Sequence, residues 1–201
     1  MKGVPAKIGE WFAQLVLVFI GAYAAFWLSN YQEHQRQDRQ RDQILASLEL
    51  QLEEGLLGTK QQAAQGAAEL REFQRALQNG ERPRLRRFTF TTDYSPGDIA
   101  TLLQAGGIEV LQLKTLITIR EFETVVRWGL SRMAHYQKLS DDLIAPALGQ
   151  DASFFYDDTA RLRERFDFYP AALQARLDFY GELEQKQAHL LSQIKSERQK
   201  R

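Results

Sequence analysis

The chain has 201 residues, of which 44% are hydrophobic and 26% are charged, a balance typical of one medium-sized domain with a small appendage. Lysine plus arginine equals aspartate plus glutamate at 26 each, so no overall charge favours nucleic acid or acidic substrates. The absence of cysteine excludes disulfides, thiolate metal sites and a cysteine nucleophile.

The most apolar stretch, residues 11 to 28, reads WFAQLVLVFIGAYAAFWL and contains no charged residue. A helix of this length rises about 27 Å, close to the hydrocarbon thickness of about 30 Å. Trp11 lies at one end, and Trp27 and Tyr31 lie at the other, where aromatic rings favour the membrane interface. We therefore predict that residues 1–31 form a tail and transmembrane anchor and that residues 32–201 form an extramembrane domain.

Two other interpretations of this stretch remain open. The letters AYA at 22–24 resemble a signal-peptide cleavage site, but the apolar run continues past them to Leu28. A buried core helix is disfavoured because it would need protein on every face. The lysines at 2 and 7 precede the span, and a short basic tail before a first span usually stays inside. Arg36, Arg39 and Arg41 beyond the span carry as many positive charges as Lys2, Lys7 and the amino terminus before it, so the orientation in the bacterial inner membrane stays open, with a periplasmic domain favoured.

One face of the anchor carries small and polar residues. Gln14, Gly21 and Ala25 fall in one sector of the helix, and Gly21 with Ala25 forms a small-xxx-small step that permits close helix packing. We expect this face to associate with a second membrane helix. Glu10 lies at the edge of the span, and the alternative of an ion-path carboxylate is disfavoured by that position.

Beyond the membrane, the pattern predicts an all-α fold. The anchor helix continues as a stalk to about residue 78, where NGERP ends it, and Ile44, Leu48, Leu52 and Leu56 form an apolar stripe on it. Helices are also predicted from SPGD at 95–98 to Gly106-Gly107, from about residue 113 to near Pro146, and from Pro170 onward, with a short turn at 108–112. We expect the last helix to cover much of the stalk stripe in an antiparallel helical bundle with coiled-coil-like contacts.

Two groups of side chains are candidates for binding. The first is a basic cluster in a non-helical, strand-like stretch, formed by Arg82, Arg84, Arg86 and Arg87. It is a candidate for partner or lipid contact, although pairing with nearby carboxylates is favoured. The second is a possible ligand or partner groove, with a core lid as the favoured alternative, and its members are Phe154, Phe155, Tyr156, Phe168 and Tyr169.

The sequence carries no recognisable catalytic motif. His34, His135 and His189 are scattered, and neither a nucleophile elbow nor a phosphate-binding loop is present. Adjacent carboxylates at 141–142 diverge on a helix, and Asp157-Asp158 is expected to cap a helix beginning near Thr159. We therefore expect no catalytic, cofactor-binding or metal-binding residues.

The start of the chain carries a characteristic series of residues: Gly9-Glu10, the apolar run with Gly21, and the exit Asn30-Tyr31-Gln32-Glu33. In this series it resembles an uncharacterised family of small bacterial membrane-anchored proteins, with Tyr31 in place of the more usual tryptophan. A second resemblance covers the segment IATLLQAGGIEVLQLKTL. The resemblance implies location and shape and no activity.

These features favour a non-enzymatic, single-pass membrane protein that acts through protein–protein interaction or self-assembly. The expected partners are membrane lipid and either another copy or another membrane protein, with no nucleic acid. The alternative is a helical sensory or ligand-binding domain at the membrane, which needs an internal cavity with convergent polar groups.

Overall fold

The computed structural model describes residues 4–90 and 96–199, without the side chains of residues 4–10, 12–14, 96–98 and 105. Within those ranges the chain is helical and contains no strand. The helices are α1 (Val4–Gln78), α2 (Pro96–Leu102), α3 (Ile108–Val110), α4 (Leu113–Leu143) and α5 (Phe168–Gln199). A π-helical turn, Leu103–Gly107, joins α2 to α3, and short 3₁₀ turns lie at Ala145–Ala147, Ala152–Phe155 and Glu164–Phe166.

Helix α1 is one continuous helix of 75 residues, about 110 Å long, as the stalk prediction requires. It ends where the sequence indicates. Gly80 adopts a left-handed conformation with φ of 72°, the amide of Glu81 donates to the Ala76 carbonyl at 2.9 Å, and the Gly80 amide donates to Leu77. These bonds form a Schellman motif, which satisfies the last carbonyls of the helix.

Helix α5 runs antiparallel to both α1 and α4. Near its start, the Tyr169 ring packs edge-on against Phe73 of α1, with centroids 5.3 Å apart. Near its end, the Lys195 ammonium lies 2.6 Å from the carboxylate of Glu53. Because the end of α5 also meets the start of α4, α4 points away from the anchor, as α1 does.

The apolar stripe of the stalk forms one side of the core. Ile44, Leu48 and Leu52 are buried where α5 packs along α1, and Leu56 is half-buried. The same side continues through Leu70 and Phe73. The prediction that the last helix covers this stripe is therefore confirmed.

A buried carboxylate joins the start of α4 to the end of α5. Glu197 is 2% exposed and accepts a hydrogen bond from the Gln112 amide at 3.0 Å and another from the Thr115 hydroxyl. Gln112 is the N-cap of α4 and makes no side-chain cap of its own. Glu197 therefore caps α4 from another helix, where the free amides and the helix dipole favour negative charge.

One local prediction was wrong, and another lies outside the described residues. The short turn predicted at 108–112 contains a single turn of helix at residues 108–110, because the π-helical turn passes directly into α3. No helix begins near Thr159: the Asp157 carboxylate instead accepts from the Thr159 and Arg161 amides and closes a tight turn. The predicted N-cap, Ser95, lies outside the described residues.

Candidate functional site

The first candidate site is the anchor part of α1. Its apolar side chains are exposed along 15–28, including Leu17 at 74%, Tyr23 at 73% and Trp27 at 61%. Among the described residues, α1 is the one helix long and apolar enough to cross a membrane, and none of that window is buried. Trp27 stacks on Tyr31, with ring centroids 5.8 Å apart, at the end of the apolar run.

The predicted association face of the anchor is open. A β-carbon added at Gly21 would meet no atom within 4 Å, and Ala25 is exposed; the Gln14 side chain lies outside the described residues. At 100° per residue, Gly21 and Ala25 lie on the side of α1 opposite Leu48. Two exposed leucines of the stalk, Leu50 and Leu57, lie in the same sector as Gly21.

The basic cluster mainly fastens one loop to another. Arg82 donates to the Asp157 carbonyl at 3.1 Å, and Arg84 donates to the carbonyls of Leu148 and Gln150. Pairing with carboxylates, which the sequence favoured, is therefore wrong for these two arginines. Guanidinium groups carry several donors and can satisfy the carbonyls of a turn.

Arg87 is the cluster member that pairs with a carboxylate. Its Nε lies 2.5 Å from Asp141 of α4, and this hydrogen bond lowers the pKa of the Asp141 carboxyl below its ordinary value. The backbone next to Arg87 is fixed by a buried hydrogen bond, in which the Phe88 amide donates to the Ser140 hydroxyl at 2.7 Å. Arg86 is exposed and borders a cleft.

That cleft has a volume of about 270 Å³. It lies between the end of α1 and residues 82–87, which we call the arginine segment. Phe73, Tyr169 and Leu173 supply apolar surface, and Glu72 and Arg86 are among its charged lining residues. Tyr169 is 4% exposed, and burial raises the pKa of its hydroxyl. Of the five aromatic groove candidates, Tyr169 alone lines this cleft.

The other aromatic candidates pack as a lid over one end of the bundle. Phe155 and Tyr156 are buried, whereas Phe154 and Phe168 are half-buried. Phe155 packs edge-on against Phe166 with centroids 5.1 Å apart, and the Arg165 guanidinium lies 4.7 Å from the Phe166 ring centroid. The Tyr156 hydroxyl donates to the Pro83 carbonyl at 2.6 Å, and burial raises the pKa of Tyr156 to about 12.

A second groove, of about 360 Å³, runs between α4 and α5 and was not predicted from the sequence. Its lining residues are Thr124, Val125, Trp128, Gly129, Arg132, Asp178, Phe179 and Glu182. Trp128 is 76% exposed at its edge. The sequence did contain a signal for this groove. Trp128 lies outside the apolar stripe of α4 that packs in the core, which indicates that its large side chain is exposed.

The three histidines are exposed and lie apart, on α1, α4 and α5. Among the described residues, no three histidines or carboxylates are grouped as metal ligands. Comparison with protein-family models, curated proteins and solved structures finds no match to this chain.

Proposed function

We propose that this chain is a single-pass, membrane-anchored helical protein that acts without catalysis, through contact with another copy of itself or another membrane protein. The observation that carries the proposal is that the large apolar side chains of the anchor are 39% to 76% exposed, in a helix that continues into the folded bundle. Apolar side chains so exposed are stable in lipid and costly in water.

Several of the buried polar groups serve the fold, which supports a role for the surface in binding. Ser140 holds the arginine segment, and Glu197 with Thr115 caps α4. The surfaces available for contact with a partner are the anchor and the exposed faces of the helices.

The anchor is tested by placing charge in its centre. A Leu17→Arg, Ile20→Arg double variant should lower recovery in the carbonate-washed membrane fraction, because each central arginine costs about 2.5–3.5 kcal/mol of insertion energy. Leu57→Arg, which alters an equally exposed leucine of the stalk, is the matched control and should stay in membranes. Equal release of both variants would contradict a role for the apolar run as anchor.

Intact mass of the membrane-extracted protein tests the signal-peptide alternative. The proposal requires that the mature chain keep residues 11–28. A mature species beginning at Ala25 would overturn the anchor.

The proposed location is the bacterial inner membrane, with the bundle in the periplasm. The support is the short basic tail with Lys2 and Lys7 before the span. Since the chain has no cysteine, a Gln150→Cys variant reports orientation by its labelling with an impermeant maleimide. We expect the introduced cysteine to be labelled in intact spheroplasts. Labelling only after lysis would show that the bundle lies on the cytoplasmic side.

A further inference from the structure

The groove between α4 and α5 exists because two helices approach closely at Gly129. A methyl group added at Gly129 would overlap the ring of Phe179, which is 6% exposed. The ring therefore lies directly against the α4 backbone at Gly129, and it is one of the residues that line the groove. Trp128, the residue before Gly129, also lines the groove and is 76% exposed.

Trp128 is one of three exposed apolar residues on the outer face of α4, which we call the α4 stripe; the polar residues Glu121 and Thr124 lie on the same face between Ile117 and Trp128. Leu113, Ile117 and Trp128 are 72%, 51% and 76% exposed, and they fall within a sector of about 60°. The stripe spans about 22 Å of the helix and faces away from the buried residues Phe122 and Val126. Aromatic anchors beside pockets are typical centres of protein interfaces.

The edges of the groove carry opposite charges. Arg132 lies on the α4 edge, whereas Asp178 and Glu182 lie on the α5 edge. Neither Arg132 nor Glu182 forms an ion pair within the part of the chain that the structure describes, and Asp178 accepts only a hydrogen bond from Gln174 there. The free charges of one copy are therefore complementary to those of a second copy.

Anchoring decides which parts of two copies can meet. Helices α1 and α4 both point away from the anchor, so α4 stripes of neighbouring copies run parallel and at equal height. An isologous contact about an axis along the membrane normal brings equal heights together. Since Arg132, Asp178 and Glu182 border one groove, Arg132 of each copy then faces the carboxylates of the other.

We propose that the α4–α5 groove is the docking surface for a second copy of this chain, with Trp128 of each copy packed in the other's groove. The proposal rests on the proposed function, because the membrane anchor supplies the parallel orientation and raises the local concentration. Arg132 of each copy pairs with Glu182 or Asp178 of the other at the rim.

A cysteine introduced on the stripe measures this contact. In full-length protein in phosphatidylcholine vesicles, Thr124→Cys should form a symmetric dimer with a short bismaleimide, since Thr124 is exposed and lines the groove. Gln65→Cys, at an exposed position of α1, is the control and should not form this crosslinked dimer. Adding Trp128→Ala should lower the Thr124→Cys yield about tenfold.

Charge exchange identifies the partner as a second copy. In the Thr124→Cys background, Arg132→Glu should lower the dimer yield, and Arg132→Glu with Glu182→Arg should restore it. Restoration supports a self-contact, because a different partner would be repelled by both variants. Helical content measured by circular dichroism should be unchanged in all of them.

Two outcomes overturn the proposal while leaving the proposed function intact. One is membrane-bound protein in which Thr124→Cys forms no symmetric dimer. The other is a dimer whose yield Trp128→Ala leaves unchanged. Loss of the protein from the membrane fraction would instead reject the proposed function.

Discussion

At the scale of single residues, close helix packing depends on one glycine that the sequence did not single out. On the stalk, a β-carbon added at Gly55 would lie 3.0 Å from the end of the flexible Gln187 side chain, which can move aside. At Gly129 the neighbour is a buried aromatic ring. The residue of α5 that packs against a given glycine is determined by tertiary structure, so it cannot be predicted from the local sequence.

We therefore predict that Gly129→Ala lowers the free energy of unfolding by about 1–3 kcal/mol, because the Phe179 ring must move or the helices must separate. Denaturant titration of the detergent-solubilised chain measures it. Gly181→Ala, on α5 with open space around it, is the matched control. There alanine should be neutral or stabilise by up to about 1 kcal/mol. Equal effects of the two changes would refute the close approach at Gly129.

At the scale of elements, the helices could be predicted and the loops that join them could not. Gly80 ends α1, and the apolar period places Leu48 and Leu52 inward, because these signals are local. The arginine segment is held by Arg82 and Arg84 donating to carbonyls more than sixty positions away. Charge counting predicts carboxylate partners and cannot anticipate bonds to backbone oxygens.

Tyr156 joins the arginine segment to the loop after α4 through its hydrogen bond to Pro83. Its raised pKa makes the contribution of Tyr156 to stability depend on pH. Tyr156→Phe should cost about 1 kcal/mol near neutral pH, because the Pro83 carbonyl loses its donor. Above pH 10 the unfolded tyrosine ionises while the folded one, with a pKa of about 12, stays neutral. The wild type therefore loses stability between pH 10 and 12 through this group.

The measurement is the unfolding free energy of the wild type and of Tyr156→Phe at about pH 8, 10 and 11.5. The difference between the two proteins should narrow as pH rises, because the variant has no hydroxyl to ionise at that position. A constant difference across this range would show that Tyr156 titrates alike in the folded and unfolded chain.

At the scale of the molecule, the sequence predicts the buried stripe of the stalk and the open face of the anchor, but not the open groove between α4 and α5. The stalk stripe is covered by α5, as the sequence predicts. Leu48→Asp would therefore place a charge in the core and unfold the bundle. The open surfaces are the outer face of α1, with Gly21, Leu50 and Leu57, and the α4 stripe with Trp128.

These two open faces belong to different helices and turn away from the core on different sides. Gly21 and Leu57 are about ten turns apart on one face of α1, opposite the residues that meet α5. The α4 stripe faces away from Phe122 and Val126. If both of the proposed contacts form, the two isologous contacts lie on different sides of one chain, so they would not close on a dimer but would propagate a row of copies in the membrane.

The last prediction follows from that geometry and concerns Gly21. With both contacts intact, amine crosslinking in membranes should give a ladder beyond the dimer. Gly21→Leu should shorten the ladder to the dimer, because a large side chain prevents close packing of the anchors. Trp128→Ala should also stop at a dimer, held by the anchors, and the double variant should be monomeric. If Gly21→Leu leaves the ladder unchanged while Leu57→Asp shortens it, the α1 contact lies in the stalk and not in the membrane.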